Sequence, residues 1–412
     1  MKNREIEIMS PVGSYESLMA AILGGANSVY FGAGHLNMRA RSSVNFTTND
    51  IKKIADLCRD NNIRSYLTLN TVVYNNEIPE IIKTLEEAKR SGITAVIASD
   101  FAVINHAREI GMEMHVSTQS NVSNIEAVKF FSDYANVMVL ARELKLEQIE
   151  EICRQIEEEN ITGPSGELIR IEIFAHGALC MSISGKCYLS LHTQNYSANR
   201  GACLQPCRRA YTVRDKDEGH ELDIENEYIM SPKDLCTIGF LDKLIEAGVK
   251  VFKIEGRGRS PEYVKTVTKC YREAVDSFLD GTYNKEKVDL WTEKLRSVYN
   301  RGFWEGYYMG KKTGEWTKIY GSQATKRKVY VGKGMNYFST LKVAEFKVEA
   351  EELNVGDEII ITGPTTGVIE TKVNEIRVDL LNVDKANKGV FCSIPVPEIV
   401  RRSDKLYKIV DA

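Results

Sequence analysis

The stretch SYLTLNTVVYNNEIPEIIKTLEEAKRSGITAVIASD, residues 65–100, contains the unit from which the fold follows. Two short apolar runs, 65–70 and 95–100, have the length and composition of strands that are buried on both faces. Between them, residues 77–92 show a helical period that stops at Gly92, and glycine is common just past the end of a helix. The stretch therefore predicts a strand–helix–strand unit with parallel strands.

The same unit recurs along the first 280 or so residues. Strand-like runs occur at 6–11, 28–32, 65–70, 95–100, 113–118, 137–142, 169–177 and 251–257. Eight such units fit a (β/α)8 barrel, whose typical length is about 250 residues. An open, doubly wound α/β sheet is the alternative, but the turn GSYESL after the first run lacks the G-x-G-x-x-G pattern of that fold.

The sequence changes in character after residue 310. Its apolar runs become short or alternating, with Gly and Pro turns between them, which predicts a small all-β barrel. We expect a catalytic barrel domain at 1–310 with a cysteine-rich insertion at 178–236, a basic linker at 311–328, and a C-terminal β-barrel domain at 329–412. The linker has six Lys/Arg and one Glu. Such a run is either simply solvated or a contact for a phosphate backbone.

Composition limits the class of protein. The 412 residues are 43% hydrophobic and 27% charged, as in soluble globular proteins, and the net charge of -3 argues against wholesale coating of nucleic acid. The first residues lack the apolar core of a signal peptide, and no apolar run has the length of a membrane span. We therefore expect a cytoplasmic protein, in which clustered cysteines are metal ligands or catalytic groups rather than disulfides.

Cysteines are concentrated in the predicted loop between the seventh and eighth strands. Five of the nine lie there: Cys180, Cys187, Cys203, Cys207 and Cys236. Thiolates suit iron–sulfur clusters or zinc, although the paired C-x2-C knuckles of zinc ribbons are absent. Cys180 could instead be a nucleophile with His176 as its base, or some of these thiols could simply be buried. The other four (Cys58, Cys153, Cys270 and Cys392) fall in helical or strand patterns and are expected to be packing residues.

Polar residues end the predicted barrel strands, where barrel enzymes keep their chemistry. The candidates at or just after strand ends are Asn37, Arg39, Arg41, Asn70, Gln119, Arg142, His176, Glu255 and Arg257. An arginine fork binds a carboxylate at two points, but each arginine could equally form a surface ion pair. His176 could transfer protons or hold a loop, and Glu255 could act in catalysis or pair with a nearby arginine.

Several motifs resemble the collagenase-like peptidase family U32. They include EIFAHGALCMSISGKCYLS (172–190), GAGHLNMRARSSVNF (32–46), NRGACLQPCR (199–208) and KIEGRGRSPEYV (253–264). The likeness extends over nearly the whole chain. It implies an N-terminal barrel and, as in the long members of the family, a C-terminal β-barrel.

The resemblance also implies a function. Several family members are oxygen-independent hydroxylases with a 4Fe–4S cluster, and the long form resembles proteins that make 5-hydroxyuridine at the wobble position of tRNA, using prephenate as oxygen donor. The ligands would be Cys180, Cys187, Cys203 and Cys236, with Cys207 as an alternative. The two carboxylates of prephenate would bind Arg39 and Arg41, with Arg257 as a third candidate. A peptidase, as the family name states, and a non-catalytic RNA-binding factor with a structural cluster are the alternatives.

Overall fold

The computed structural model describes residues 6–41, 46–212, 216–217, 228–311 and 313–412. The inner part of the predicted cysteine-rich insertion and Lys312 of the predicted linker therefore lie outside the described residues. Within the described ranges, no helix combines the length and the apolar character needed to cross a bilayer.

Ten strands form the N-terminal sheet. They are β1 (Glu7–Pro11), β2 (Ser28–Phe31), β3 (Arg64–Leu69), β4 (Ala95–Ala98), β5 (Glu113–Val116), β6 (Val137–Val139), β7 (Arg170–Ala178), β8 (Asp234–Cys236), β9 (Val251–Ile254) and β10 (Phe303–Trp304). Eight of them, β1 to β7 and β9, are parallel, and β9 pairs with both β7 and β1, which closes the barrel. Each of the eight predicted runs overlaps one of these strands, so the predicted barrel is confirmed.

Helices surround the barrel. They are α1 (Tyr15–Leu23), α2 (Ile51–Asp60), α3 (Ile78–Ser91), α4 (Phe101–Glu109), α5 (Ile125–Ser132), α6 (Leu146–Glu158), α7 (Leu189–Gln194), α8 (Leu241–Glu246), α9 (Pro261–Leu279) and α10 (Lys285–Ser297). As predicted, α3 ends before Gly92, whose φ of 83° is in the left-handed region that favours glycine. Similarly, α9 begins at Pro261 after Ser260, although the Ser260 side chain makes no capping hydrogen bond.

The two ends of the barrel interior differ in chemistry. An apolar cluster that includes Tyr66 fills the middle. At the end where the strands begin, Glu7 is fully buried and pairs with Arg64 at 2.6 Å and with Arg170 at 3.1 Å. Buried charge is stable only when it is paired and hydrogen-bonded, so this end is closed by ion pairs. The opposite end, where the strands finish, is open.

The strands β8 and β10 extend the sheet beyond the barrel. β8 is antiparallel to β7, so that Cys236 lies opposite His176, and β10 is parallel to β8. The apolar stretch YIMSP (228–232) by itself predicts a short strand, with Cys236 after it. The structure corrects this, because residues 228–232 form turns with one isolated bridge at Pro232, and Cys236 is itself the last residue of β8.

The C-terminal domain is all β, as predicted. Its strands are β11 (Lys326–Phe338), β12 (Val343–Val348), β13 (Leu353–Asn354), β14 (Glu358–Gly363), β15 (Gly367–Lys372), β16 (Ile376–Val378), β17 (Leu381–Val383), β18 (Lys385–Ala386), β19 (Phe391–Pro395) and β20 (Lys405–Asp411). Eight form an antiparallel sheet in the order β15-β14-β20-β11-β12-β19-β16-β17. One apolar cluster contains Ile369 of β15 and Ile376 of β16, so strands distant in the sheet order share a core.

The two domains pack through α1, α9 and β15. Val368 of β15 belongs to the apolar core of the barrel domain, and the Lys265 amine donates to its carbonyl oxygen at 3.0 Å. The predicted linker contributes to this junction, because Lys326, Arg327 and Lys328 begin β11, and Lys328 pairs with Glu262 at 3.0 Å.

Candidate cysteine-rich active site

A cavity of about 240 Å³ opens where the barrel strands finish. Strand residues such as Thr68 and Lys253 form its floor, and residues that follow strands, such as Asn70 and Gln119, form its sides. The segment after β7 covers one side. The cavity is therefore at the end of the barrel where the sequence predicted the chemistry to be.

Four of the five clustered cysteines line this cavity: Cys180, Cys187, Cys203 and Cys207. Burial raises the pKa of the Cys207 thiol to about 11, Arg208 opposes that effect, and the other three thiols add to it, which places all four near one another. Cys203 and Cys207 do not share one turn of an α-helix, because Gln205 has a φ of 54° and Pro206–Arg208 forms a separate short 3₁₀ turn.

Cys236, the fifth clustered cysteine, does not line the cavity. Its thiol lies in β8, 4.0 Å from the hydroxyl of Tyr271, which donates to it. Burial raises its pKa to about 11. The four thiols that line the cavity therefore include Cys207, which the resemblance gave as the alternative ligand, and do not include Cys236.

The segment that carries the four thiols is held by local hydrogen bonds. The backbone N–H groups of Ser182 and Leu189 donate to the sulfurs of Cys180 and Cys187, at 3.4 and 3.3 Å. Gly201 has a φ of 78°, and a Cβ there would lie 2.2 Å from the carbonyl oxygen of Asn37. Only glycine allows this close approach, which fixes the segment against the loop after β2.

A single-ion site does not fit this arrangement. In the described part of the chain, no three His, Cys, Asp or Glu side chains converge as ligands of one metal ion. The possible metal donors among the described lining residues are the four thiols and the carboxylate of Glu255, which is paired with Arg39, and no described histidine lines the cavity. Soft donors such as thiols suit iron–sulfur centres, and N–H···S hydrogen bonds such as those to Cys180 and Cys187 tune such centres.

The remaining wall is strongly cationic. Six arginines and one lysine line the cavity: Arg39, Arg142, Arg208, Arg257, Arg259, Arg301 and Lys253. Among the described lining residues, Glu255 is the one carboxylate. Glu255 pairs with Arg39 at 2.7 Å. Although burial raises the pKa of Glu255, the neighbouring Arg39, Arg259 and Arg142 outweigh this effect and lower it to about 2.

Two of the lining arginines donate to neutral acceptors and have no described carboxylate as a hydrogen-bond partner. The Arg257 guanidinium donates to Asn37 Oδ1 at 3.0 Å and to Thr68 Oγ1 at 2.8 Å. Arg142 donates to the carbonyl oxygen of Ala178 at 3.3 Å and lies 3.8 Å over the ring of Phe174, and its buried Nε has no hydrogen-bond partner among the described residues. Because no described carboxylate pairs with either guanidinium, both can attract an anion.

Besides Cys236, three predicted site residues do not line the cavity, and their predicted roles need correction. Asn37 is fully buried and supports Arg257, whereas Arg41 is exposed and stacks 4.5 Å over the ring of Tyr196. His176 is buried against Tyr271, with its Nδ1 3.4 Å from that hydroxyl, and burial lowers its pKa to about 3.

The position of His176 has a local cause. The pairing of β7 with β9 shifts register between Phe174 and His176, so Phe174 faces the cavity whereas His176 faces the aromatic residues of α9. Neither proton transfer in the cavity nor a pairing with Cys180 is supported for this histidine.

Sequence reasoning missed several lining residues. Lys253 interrupts the apolar run VFKI, and its amine pairs with Glu172 of β7 at 2.7 Å. A charge inside a strand that is otherwise apolar indicates a barrel-facing site residue, and this signal was available in the sequence. No comparable signal marks Arg208 and Arg301 in the sequence. Their positions at the cavity depend on tertiary contacts, of Arg208 with the Pro232 carbonyl and of Arg301 with Asp234.

Comparisons with known proteins agree with the sequence motifs. A sequence model described as Peptidase family U32 matches residues 13–318. A Porphyromonas gingivalis (strain ATCC BAA-308 / W83) protein named collagenase is 60% identical over 408 residues, with 99% of each chain covered. The tRNA hydroxylation protein P1 of Bacillus subtilis (strain 168) is 30% identical over 377 residues, or 89% of this chain and 86% of that protein.

One further relative has a name that refers to ribosomal RNA. The 23S rRNA 5-hydroxycytidine C2501 synthase of Escherichia coli (strain K12) is 34% identical over 284 residues, which is 68% of this chain and 41% of that protein. The chain is therefore similar both to proteins named for RNA hydroxylation and to a protein named as a collagenase.

Proposed function

The chain belongs to peptidase family U32, and on that premise we propose that it is an iron–sulfur-dependent RNA hydroxylase. In its most specific form, the proposal is formation of 5-hydroxyuridine at the tRNA wobble position, with prephenate as oxygen donor. The observation that carries it is the meeting of four thiols and seven cationic side chains on one cavity. The relatives named for tRNA and rRNA hydroxylation support it.

Cys180, Cys187, Cys203 and Cys207 would hold a 4Fe–4S cluster, which supplies one-electron redox chemistry. Four thiols line this one cavity, which is the number of thiolates that would hold such a cluster. Burial raises the pKa of the Cys207 thiol, so binding there requires the metal to displace its proton.

The cationic wall would bind the negatively charged reactants. Prephenate has two carboxylates, and Arg142 and Arg257 offer guanidinium groups that are not committed to a described carboxylate. Arg39 is engaged by Glu255, so we place it second to these two. With its pKa lowered to about 2, Glu255 remains a carboxylate and orients Arg39 rather than acting as a general acid.

A peptidase is the second candidate, favoured by the 60% identical relative named collagenase. Peptide hydrolysis by a nucleophile needs a base within hydrogen-bonding reach. No histidine among the described residues lines the cavity, and Glu255 is held by Arg39. The cavity thus favours hydroxylation over hydrolysis. A non-catalytic RNA-binding role with a structural cluster remains the third candidate, and the experiment below tests it.

The deciding experiment has two parts. Protein purified without oxygen is assayed for iron and sulfide and for cleavage of gelatin, and tRNA nucleosides from a deletion strain are analysed by mass spectrometry. The proposal expects an iron–sulfur protein without gelatinase activity, and loss of 5-hydroxyuridine that returns when the gene is restored. Unchanged nucleosides together with bound iron would favour the non-catalytic alternative. Gelatin cleavage by an iron-free protein would favour the peptidase.

A further inference from the structure

The segment 179–212, which follows β7 and carries the four cavity thiols, has an unusual charge composition. It contains no Asp or Glu, in a chain with 57 acidic residues among 412. It does contain four cations: Lys186, Arg200, Arg208 and Arg209. This segment would therefore attract a negatively charged partner, and it has no carboxylate that would repel one.

Large aromatic side chains are exposed on and beside this segment. Tyr188 is 74% exposed and Tyr196 is 40% exposed, and Tyr74 of the neighbouring loop is 56% exposed. Two of these rings already stack against arginine. The Arg41 guanidinium lies 4.5 Å over the ring of Tyr196, and that of Arg200 lies 4.0 Å over the ring of Tyr74. We call these three tyrosines and two arginines the aromatic rim.

The aromatic rim lies beside the cavity. Backbone hydrogen bonds join its parts, from Arg41 N–H to the Gly201 carbonyl and from Val72 N–H to the Asn199 carbonyl, both at 3.2 Å. The same segment contributes lining residues to the cavity, including Ala198 and Cys187 next to Tyr188. A molecule bound on the rim is thus adjacent to the cavity.

We propose that the aromatic rim binds the unpaired bases of a single-stranded RNA loop, and so presents one base to the cavity. This inference rests on the proposed function and names the recognition surface for its substrate. Exposed tyrosines interleaved with arginines are the means by which proteins hold single-stranded RNA, because every base has a face that can stack. A duplex keeps its bases stacked internally and cannot use such a surface.

The predicted linker is a weaker candidate for the same role. Lys328 pairs with Glu262 at 3.0 Å, and Lys326 pairs with Glu358 at 2.5 Å. Lys311 pairs with Glu315. Arg200 of the segment 179–212 is likewise paired with Glu77. This segment nevertheless contains no Asp or Glu of its own, whereas the linker contains Glu315, so the segment offers the stronger attraction for phosphate.

The test measures RNA affinity of the full-length, anaerobically purified protein by fluorescence anisotropy. The probes are a hairpin with an unpaired, uridine-containing loop and a continuous duplex of the same stem.

The variants are Tyr196→Leu, Tyr74→Leu and Tyr196→Phe. Each Leu variant should weaken hairpin binding by about 5- to 150-fold, the usual range for loss of one stacked base. Tyr196→Phe keeps the ring and should retain affinity. Iron content is measured in every sample to show that the cluster segment is intact.

Tyr320, which is 74% exposed near the domain junction, provides the matched control. Tyr320→Leu should leave hairpin affinity unchanged. The proposal is overturned if iron-replete Tyr196→Leu and Tyr74→Leu bind the hairpin as the wild type does, or if they lose hairpin and duplex affinity equally. Loss of gelatin binding instead of RNA binding would assign the rim to a protein partner. These readouts are independent of nucleoside analysis, so failure of RNA docking and failure of hydroxylation are separable.

Discussion

Arg39, in the loop after β2, and Glu255, directly after β9, form an ion pair of 2.7 Å across the mouth of the barrel. The two residues are 216 positions apart in the chain but adjacent in the closed barrel, because β1 lies between β2 and β9. The sequence made Arg39 a candidate for substrate binding, and Glu255 a candidate for catalysis or for pairing with a nearby arginine. Their pairing makes Glu255 the residue that orients Arg39.

The first prediction concerns acid stability. Glu255 has an ordinary pKa of 4.5 and a folded pKa of about 2, so its charge stabilises the fold above pH 4.5, and this contribution is lost as the pH falls toward 2. The difference in free energy of unfolding between wild type and Glu255→Gln should therefore shrink by up to about 3 kcal/mol over that range. Urea titrations at several pH values measure it. Glu86→Gln, at an exposed position on α3, is the control, and a constant difference for Glu255→Gln would contradict the assignment.

The second prediction concerns the roles of Arg142 and Arg257 in prephenate binding. Arg142→Lys and Arg257→Lys keep the charge but lose the planar fork, so each should raise the prephenate concentration required for half-maximal 5-hydroxyuridine formation. A loss of about 1.5–3 kcal/mol for a charged hydrogen bond corresponds to about 10- to 150-fold. Arg90→Lys, at an exposed position on α3, is the control, since Arg90 lies outside both the cavity and the aromatic rim. An unchanged prephenate dependence in both cavity variants would remove these residues from the binding site.

The third prediction concerns the choice between Cys207 and Cys236. Cys207→Ser should lose bound iron and the associated absorbance, because a hydroxyl is a poor ligand for an iron–sulfur cluster. Cys236→Ser should retain iron, since that thiol faces Tyr271 rather than the cavity. Cys270→Ser, at a buried position on α9, controls for the effect of altering a packed thiol. Iron loss in Cys236→Ser with retention in Cys207→Ser would restore the ligand set implied by the family resemblance.

The barrel was predictable because its signal is local. Buried parallel strands are short apolar runs, and each was visible without knowledge of its neighbours. The strands β8 and β10 were not predictable, because they have three and two residues and exist only through pairing with β7 and with each other.

The candidate site was predictable in part, because some of its residues directly follow the apolar runs that indicate strands. Strand ends identified Asn70, Gln119 and Arg142, all of which line the cavity. The sequence did not reveal the register shift that points His176 away from the cavity. Nor did it reveal that Cys236 pairs with β7 in the sheet and so does not line the cavity. Both outcomes depend on pairing between strands, and residue spacing carries no information about it.

The last prediction tests the domain junction. Gly367 begins β15 with a φ of 70°, and a Cβ there would lie 2.9 Å from the Cβ of Met19 in α1. Gly281, after α9, has a φ of 69°, and no described atom lies within 4 Å of the position a Cβ would take. The two glycines have nearly the same φ, so the difference between their Gly→Ala variants isolates packing against α1. Gly367→Ala should lower the free energy of unfolding by about 1–3 kcal/mol more than Gly281→Ala, as overpacked contacts do. Chemical denaturation of the full-length protein measures both variants. Equal destabilisation would mean that β15 moves away from α1 without cost.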